Sequence, residues 1–310
     1  MANLASASKP RKFSSRNSSL GDKIFDICIY TALTLLMIVT LYPFINTLAV
    51  SFNAAVDSMK GGIHLWPRQF SVENYKFVFA ENTVYNAAMI SVLRSVIGTF
   101  VTVFASAMVA YTISRPEYVL KKFVTIAFII TMYINGGLIP NFLLIRDLGL
   151  LDNFWVYILP GIIGVFNLII IRSFIEQLPD SILESARIDG AGDFRTFVNI
   201  VLPLCTPVLA TVALFSTVSQ WNSWFDVFLY NSSNEHLSTL QYELQKILQN
   251  SNTTSSAESG FANSGAEAMK VSPLSIRATM TIVASVPMIV IYPFLQKYFV
   301  KGMTVGGVKG

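Results

Sequence analysis

The sequence predicts an all-α polytopic membrane protein with six transmembrane helices and both termini in the cytoplasm. Three observations predict it. Hydrophobic residues make up 53% of the chain and charged residues 13%, where a soluble domain carries about 25% charged residues. Several windows approach or exceed the ~20 apolar residues that cross ~30 Å of hydrocarbon at 1.5 Å per residue. Lysine and arginine are also spread unevenly between those windows: of 22, 14 fall in segments assigned to the inside, 7 in outer segments and Arg94 at a boundary. A basic bias of this kind sets the orientation of a membrane chain.

Taken in order, residues 1–23 are Ser-rich and carry Lys9, Arg11, Lys12, Arg16 and Lys23 against one acid, Asp22, which marks a cytoplasmic tail. The apolar run over about 24–50 is far longer than a signal-peptide core and reads as an uncleaved first span, kinked towards its outer end by Pro43. Residues 51–93 form a mixed outer loop with an aromatic cluster at Tyr75, Phe77 and Phe79. An arginine at mid-bilayer costs roughly 2.5–3.5 kcal/mol, so the second span is set at 95–113, with Arg94 snorkelling at the outer interface.

Arg115, Pro116, Lys121 and Lys122 make the turn over 114–122 an inner one. The third span, about 123–139, ends in Asn135-Gly136-Gly137-Leu138-Ile139-Pro140, where glycine and proline weaken the helix. An outer loop over 141–155 leads to the fourth span, about 156–175, with Pro160, Gly161, Gly164 and Asn167 as packing or polar positions. A fifth span over 204–220 runs into Trp221 and Trp224. The longest outer loop, 222–276, holds an amphipathic stretch over 237–248 and a low-complexity tract over 249–268 whose composition marks it as mobile. A sixth span over 278–299 and a tail over 301–310 complete one transmembrane domain spanning 24–300.

Several function classes find no support. There is no phosphate-cradling glycine loop with its lysine and no nucleophile, base and orienter set, so the chain reads as a transport subunit and not an enzyme. No basic patch with interleaved aromatics points to nucleic acid. Cys28 and Cys205 lie in or beside spans, and His64 and His236 stand alone in polar loops, so neither a disulfide framework nor a metal site is indicated.

The informative stretch is the polar island from Pro179 to Pro207. Arg187, Asp189, Asp193 and Arg195 make it too polar to cross a bilayer, and the charge bias places it inside. Ser181 with Glu184 three residues on forms a capping-box pattern that starts a short helix. Gly190 stops that helix by accepting a left-handed conformation, and Asp193 can cap a second one. Ile182, Leu183 and Ala186 fall on one side, while the small residues Ser185 and Ala186 permit close approach by a partner, as in helix-in-groove recognition.

The spacing Glu184-Ser185-Ala186, then Gly190, then Ile200 and Leu202-Pro203 resembles the cytoplasmic EAA loop of permease subunits of ATP-binding-cassette importers. Ser185 departs from the alanine usual there, a small-for-small change. The resemblance implies the type I importer transmembrane fold in a bacterial or archaeal cell membrane. It also implies that Glu184, Ser185, Ala186, Ile188, Asp189, Gly190 and Ala191 dock on an ATPase subunit, with Ser181, Asp193, Ile200, Leu202 and Pro203 shaping the loop.

Further stretches, Ala110-Tyr111-Thr112-Ile113-Ser114-Arg115, Gly136 to Pro140, Trp221-Asn222 and the end from Lys301 to Gly310, are similar to the carbohydrate-importing, maltose-type branch. Such permeases work with a second homologous permease subunit, two ATPase subunits that bind ATP and Mg, and an extracytoplasmic solute-binding protein. The permease itself is expected to bind no cofactor or metal. Its long outer loop is expected to contact the binding protein, and the tail from Lys301 the ATPases.

Trp221, Asn222 and Trp224 read either as sugar-stacking pathway residues or as an interfacial aromatic belt. Asn135 and Asn167 read as pathway residues or as helix-to-helix hydrogen-bond donors. The alternatives to a sugar permease are a permease for an amino acid or phosphate and an ion-coupled secondary transporter. The latter usually carries acids inside its spans, where this chain has only Asp26 at the start of one.

Overall fold

A computed structural model of the chain describes residues 20–80, 82–254 and 272–307, and the described residues fold as helices joined by turns. The N-terminal residues 1–19, most of the low-complexity tract and the last three residues lie outside the described set. Eleven helices suffice for the argument: α1 Leu20–Ser51, α2 Glu73–Ala80, α3 Asn82–Ser114, α4 Lys121–Tyr133, α5 Leu138–Asp147, α6 Val165–Ile175, α7 Asp180–Ile188, α8 Thr206–Asn222, α9 Phe225–Tyr230, α10 Leu240–Thr254 and α11 Pro273–Gly307.

By length and composition, α1, α3 and the Pro273–Ile291 part of α11 can each cross a membrane alone. Two further spans come as bent pairs. Phe154–Gly161 meets α6 at 52°, and Asp193–Leu204 meets α8 at 82°. Prolines and glycines lie at or beside both breaks: Pro160, Gly161 and Gly164 at the first, Pro203 and Pro207 flanking Cys205 at the second. The described residues thus hold three single-helix candidate spans, or five if each bent pair counts as one. The predicted third span is shorter than expected, because α4 stops at Tyr133 and the chain turns through Ile134–Gly137 before α5.

Helix α3 is the axis of the packing, with α8 and α6 laid against it; α8 in turn packs on α11, and α11 on α1. The largest buried cluster joins Ala107, Ala110, Tyr111 and Ile113 of α3 to Leu168, Ile171 and Ile175 of α6, Phe197 and Val201 of the island, and Val208 and Val212 of α8. Small residues on α3 allow this approach, and because lipid tails are as apolar as the side chains themselves, close van der Waals packing and not the hydrophobic effect holds these helices together. Helix α1, by contrast, presents bulky apolar side chains outward along most of its length, as a lipid-facing helix does.

The segment over 51–80, part of the expected mixed loop, is folded and held by side-chain hydrogen bonds. Asn74 Nδ2 donates to the carbonyls of Ser51 (3.0 Å) and Asn53 (2.9 Å). Asn53 Nδ2 donates to Asp57 Oδ2 at 3.1 Å, and Arg68 Nε donates to the same oxygen at 2.9 Å. The Asn53 donor, assisted by Arg68, holds the Asp57 carboxyl below the usual carboxylate range despite its burial.

Candidate functional site

The island begins where Pro179 ends the run from α6. With its φ fixed at −60° and ψ at 129°, Pro179 serves as the cap of α7, and the Ile182 amide donates to its carbonyl at 3.1 Å. The capping box expected from Ser181 and Glu184 therefore does not form. Proline starts the helix two residues earlier, which leaves Asp180 in the first turn, where its charge favours the helix N-terminus. Ser181 becomes an interior position whose carbonyl accepts from Ser185 Oγ at 2.8 Å.

The far end of α7 closes as predicted. Gly190 adopts φ +74°, the Ala191 amide donates to the Ala186 carbonyl at 2.9 Å and the Gly190 amide to the Arg187 carbonyl at 3.0 Å. These two bonds define a Schellman motif. A Cβ on Gly190 would meet nothing within 4 Å, so the glycine is required by its dihedral and not by space. Gly192, in an extended conformation, precedes the next helical turn, and Asp193 lies inside that turn without capping it. Gly192 takes the cap position with no side chain to bond the first-turn amides, and its carbonyl accepts the first intrahelical bond, from the Thr196 amide at 2.9 Å.

From Phe197 to Val201 the backbone widens into a π-turn. Phe197 and Val201 are buried, Ile200 and Leu202 half-buried and Pro203 exposed. Pro207 has no amide to give the Pro203 carbonyl, which accepts instead from Thr206 Oγ1 at 2.7 Å. The joint into α8 is therefore helical but interrupted, with a side chain replacing a backbone donor.

Helix α7 has two faces. Leu183 and Ala186 are buried against the core of α3, α6 and the π-turn. Glu184, Ser185, Ile188 and Asp189 face outward with Gly190, and Ile188 is 86% exposed. Among the residues expected to dock, Ala186 thus faces this chain's own core and Ala191 is half-buried, while the other five form the free face. Arg187 on α7 is ion-paired with Glu117, in the turn between α3 and α4. The Arg187 hydrogen bond holds the Glu117 carboxyl below its ordinary range.

The five pathway candidates go to different surroundings. Asn135 is exposed and its Oδ1 accepts from the Gly137 amide at 2.9 Å, shaping the break before α5. Asn167 Nδ2 lies 3.4 Å from Ser216 Oγ, the helix-to-helix alternative. Trp221 is 3% exposed and its Nε1 donates to the Ala284 carbonyl at 2.9 Å. It ties α8 to α11, since an indole N–H in a core needs an acceptor. Trp224 is half-buried and packs edge-on against Phe225. Asn222 is exposed, accepts from Gln241 Nε2 at 3.3 Å, and lines a recess of about 380 Å³ with Phe44, Val218, Gln241, Ser285 and Met288.

One buried cluster escaped the sequence reading. Arg94 lies within α3 and is 2% exposed, because α3 extends outward to Asn82 and the chain folds over it. Its Nη2 meets Asp226 Oδ2 at 2.5 Å, its Nε donates to Gln220 Oε1 at 3.1 Å, and its guanidinium carbon sits 4.4 Å from the Tyr157 ring centroid. The snorkelling expected of Arg94 is therefore corrected: protein groups, and not water or headgroups, surround its guanidinium. The available signal was Asp226, an acid close to the end of a span, since an arginine in an apolar helix requires a partner.

A bundle of apolar and bent helices long enough to cross a membrane, with a polar, partly exposed helix at one end, is the architecture of a multi-pass membrane protein. The chain belongs to the family of binding-protein-dependent transport system inner membrane components, whose model matches residues 12–305. It is 35% identical over 289 residues to the polygalacturonan/rhamnogalacturonan transport system permease protein YtcP of Bacillus subtilis (strain 168), covering 93% of this chain and 99% of that one. It is 30% identical over 311 residues to the maltodextrin transport system permease protein MdxG of the same organism, covering 95% and 100%. Among solved structures, it superposes with TM-score 0.81 and 26% identity on a chain of a bacterial ABC transporter involved in the import of the acidic polysaccharide alginate, covering 92% of this chain and 100% of the other.

Proposed function

We propose that this chain is one of two related permease subunits lining the pathway of an ATP-driven importer, and that its cargo is an oligosaccharide delivered by an extracytoplasmic binding protein. The observation that carries the docking half of this reading is the outward face of α7. A helix closed at its C-terminus by Gly190 and anchored through Leu183 and Ala186 leaves Ile188 almost fully exposed. Burying such a side chain in a groove is worth roughly 1.5–3 kcal/mol. An ATPase subunit with bound ATP and Mg is the partner this face fits, with Glu184, Ser185, Ile188, Asp189 and Gly190 as its contacts.

Six spans with both termini inside complete the reading: the three single-helix spans, the two bent pairs, and α4 with the turn after it. The Glu117–Arg187 pair supports this topology, since it brings together two segments that charge bias assigns to the same side. When the ATPases close on ATP, α7 moves with its groove and the π-turn passes that motion to α8. The recess at Asn222, Gln241 and Ser285 offers the amide and hydroxyl groups that sugar hydroxyls bond. The names of the relatives support a carbohydrate cargo over an amino acid or phosphate.

The test is reconstitution in vesicles with the partner permease, the ATPases and the binding protein, followed by a panel of oligosaccharides, amino acids and phosphate. We expect one oligosaccharide class to raise ATP hydrolysis and to accumulate inside. Accumulation of another solute class overturns the cargo. Ile188→Asp is expected to strip the ATPases from the purified complex, and their undiminished retention overturns the docking face.

A further inference from the structure

Helix α8 connects the island to the pathway, and its two ends are held very differently. At the inner end the chain bends by 82° through the π-turn, and Pro203 and Pro207 flank the joint. At the outer end, Arg94 reaches across from α3 and bonds three points around the end of α8. Its Nε donates to Gln220 Oε1 at 3.1 Å, Nη1 approaches the Ser223 carbonyl at 3.4 Å, and Nη1 and Nη2 both engage Asp226, at 3.3 and 2.5 Å.

The partners are themselves fixed. Asp226 Oδ1 also accepts from Ser223 Oγ at 2.9 Å and from the Val227 amide at 3.0 Å. Gln220 Nε2 donates to the Tyr157 carbonyl at 3.2 Å, and the Tyr157 hydroxyl donates to the Leu237 carbonyl at 2.6 Å. Gly98, one turn along α3 from Arg94, makes room for this arrangement: a Cβ there would lie 2.9 Å from Gln220 Cδ. One guanidinium therefore ties α3, the end of α8, the start of α9 and the Phe154–Tyr157 turn into a single body. A bidentate charge-assisted pair resists sliding and rotation where a single contact does not.

We infer that Arg94 and Asp226 are positioning residues for energy coupling. They clamp the outer end of α8 to α3 and complete the packing that Val208 and Val212 make with α3 nearer the bend, so that displacement of α7 turns the helices of the pathway together. Without the clamp, the outer end of α8 lags behind its packed inner half and ATP is hydrolysed with little transport. The inference rests on the ATP-driven reading above and adds a site to it remote from the docking face.

The experiment measures cargo accumulated per ATP hydrolysed in the reconstituted complex. Accumulation by the wild-type complex tests the ATP-driven reading itself, independently of the clamp. Asp226→Asn is expected to lower the ratio about tenfold, within the range of site-to-site coupling, while Asp226→Glu restores most of it. Because Asp226→Asn leaves a buried guanidinium without its counter-charge and can lower the yield of folded chain, the combined Arg94→Met and Asp226→Leu variant is run beside it. That variant removes the clamp without leaving an unpaired charge. It is expected to assemble normally and to show the same fall in ratio. A wild-type ratio in the assembled double variant overturns the inference. Failure of both variants to assemble also overturns it, by assigning the pair to folding alone.

Discussion

The two ends of α8 carry two charged clusters of similar composition and opposite fate. Around α7, Glu117 and Arg187 are about half exposed, and Glu184 and Asp189 face outward. At the other end, Arg94 is almost completely buried, Asp226 is 22% exposed, and the cluster's contacts are made within this chain. The first arrangement leaves interactions available to another subunit. The second uses them internally and fixes where helices sit. What separates the two is the exposure of the charged groups themselves, since buried apolar residues adjoin both.

The sharpest way to break this comparison is at Asp226. Asp226→Ala leaves Arg94 buried without its counter-charge, and opening a buried pair this way costs about 3–5 kcal/mol. The melting midpoint of the assembled complex should fall more than for any single substitution on the outer face of α7. An Asp226→Ala complex as stable as an Ile188→Ala complex would erase the distinction between the two ends.

Smaller effects separate backbone from side-chain causes. Gly190→Val forces a β-branched residue to φ +74°, at roughly 1–2 kcal/mol, and should reduce ATP-driven uptake by tilting α7. Gly190→Asn should retain most uptake, since asparagine tolerates this conformation. Equal loss with both substitutions would show that something other than the dihedral matters there. At the outer end, Gly98→Ala should displace the Gln220 side chain and cost about 1 kcal/mol net of helix propensity. Combined with Gln220→Ala, the two effects should be strongly non-additive in a thermal double-mutant cycle.

Much of the α7 cluster was legible from the sequence because local chemistry determines it. The Ser181–Glu184 capping pattern placed the start of α7 within two residues, and the left-handed requirement located its end at Gly190. Where the reading failed locally, at Ser181 and Asp193, Pro179 and Gly192 had taken the cap positions. The sequence motif for a cap is satisfied by more than one register, and proline settles it. The outer cluster was not legible for a different reason. Arg94 and Gln220 are 126 residues apart, and no periodicity shows that the chain over 82–94 continues α3 and is roofed by later segments. The same holds for Trp221, whose partner at Ala284 lies on another helix. Span boundaries suffered likewise, since hydropathy measures where lipid can be and not where a helix continues into protein.

The smallest expected effect lies at the Glu117–Arg187 pair, and it sharpens the comparison by its smallness. Both side chains are about half exposed, so solvent and salt screen their attraction, and pairs of this kind add little to stability. Glu117 has its pKa lowered by Arg187. Its contribution is therefore present above the ordinary carboxylate pKa and is lost only as pH falls through the lowered folded value, which leaves it constant from pH 6 to 8, above the usual carboxylate range. Glu117→Gln should leave the melting midpoint unchanged within error across that range. If the pair steadies α7 for its partner, the same variant should lower uptake at low salt towards the level the wild type reaches at high salt, and added salt should then have little further effect. A clear drop in melting midpoint would instead show that the α7 cluster, like the buried Arg94–Asp226 cluster, holds the fold together.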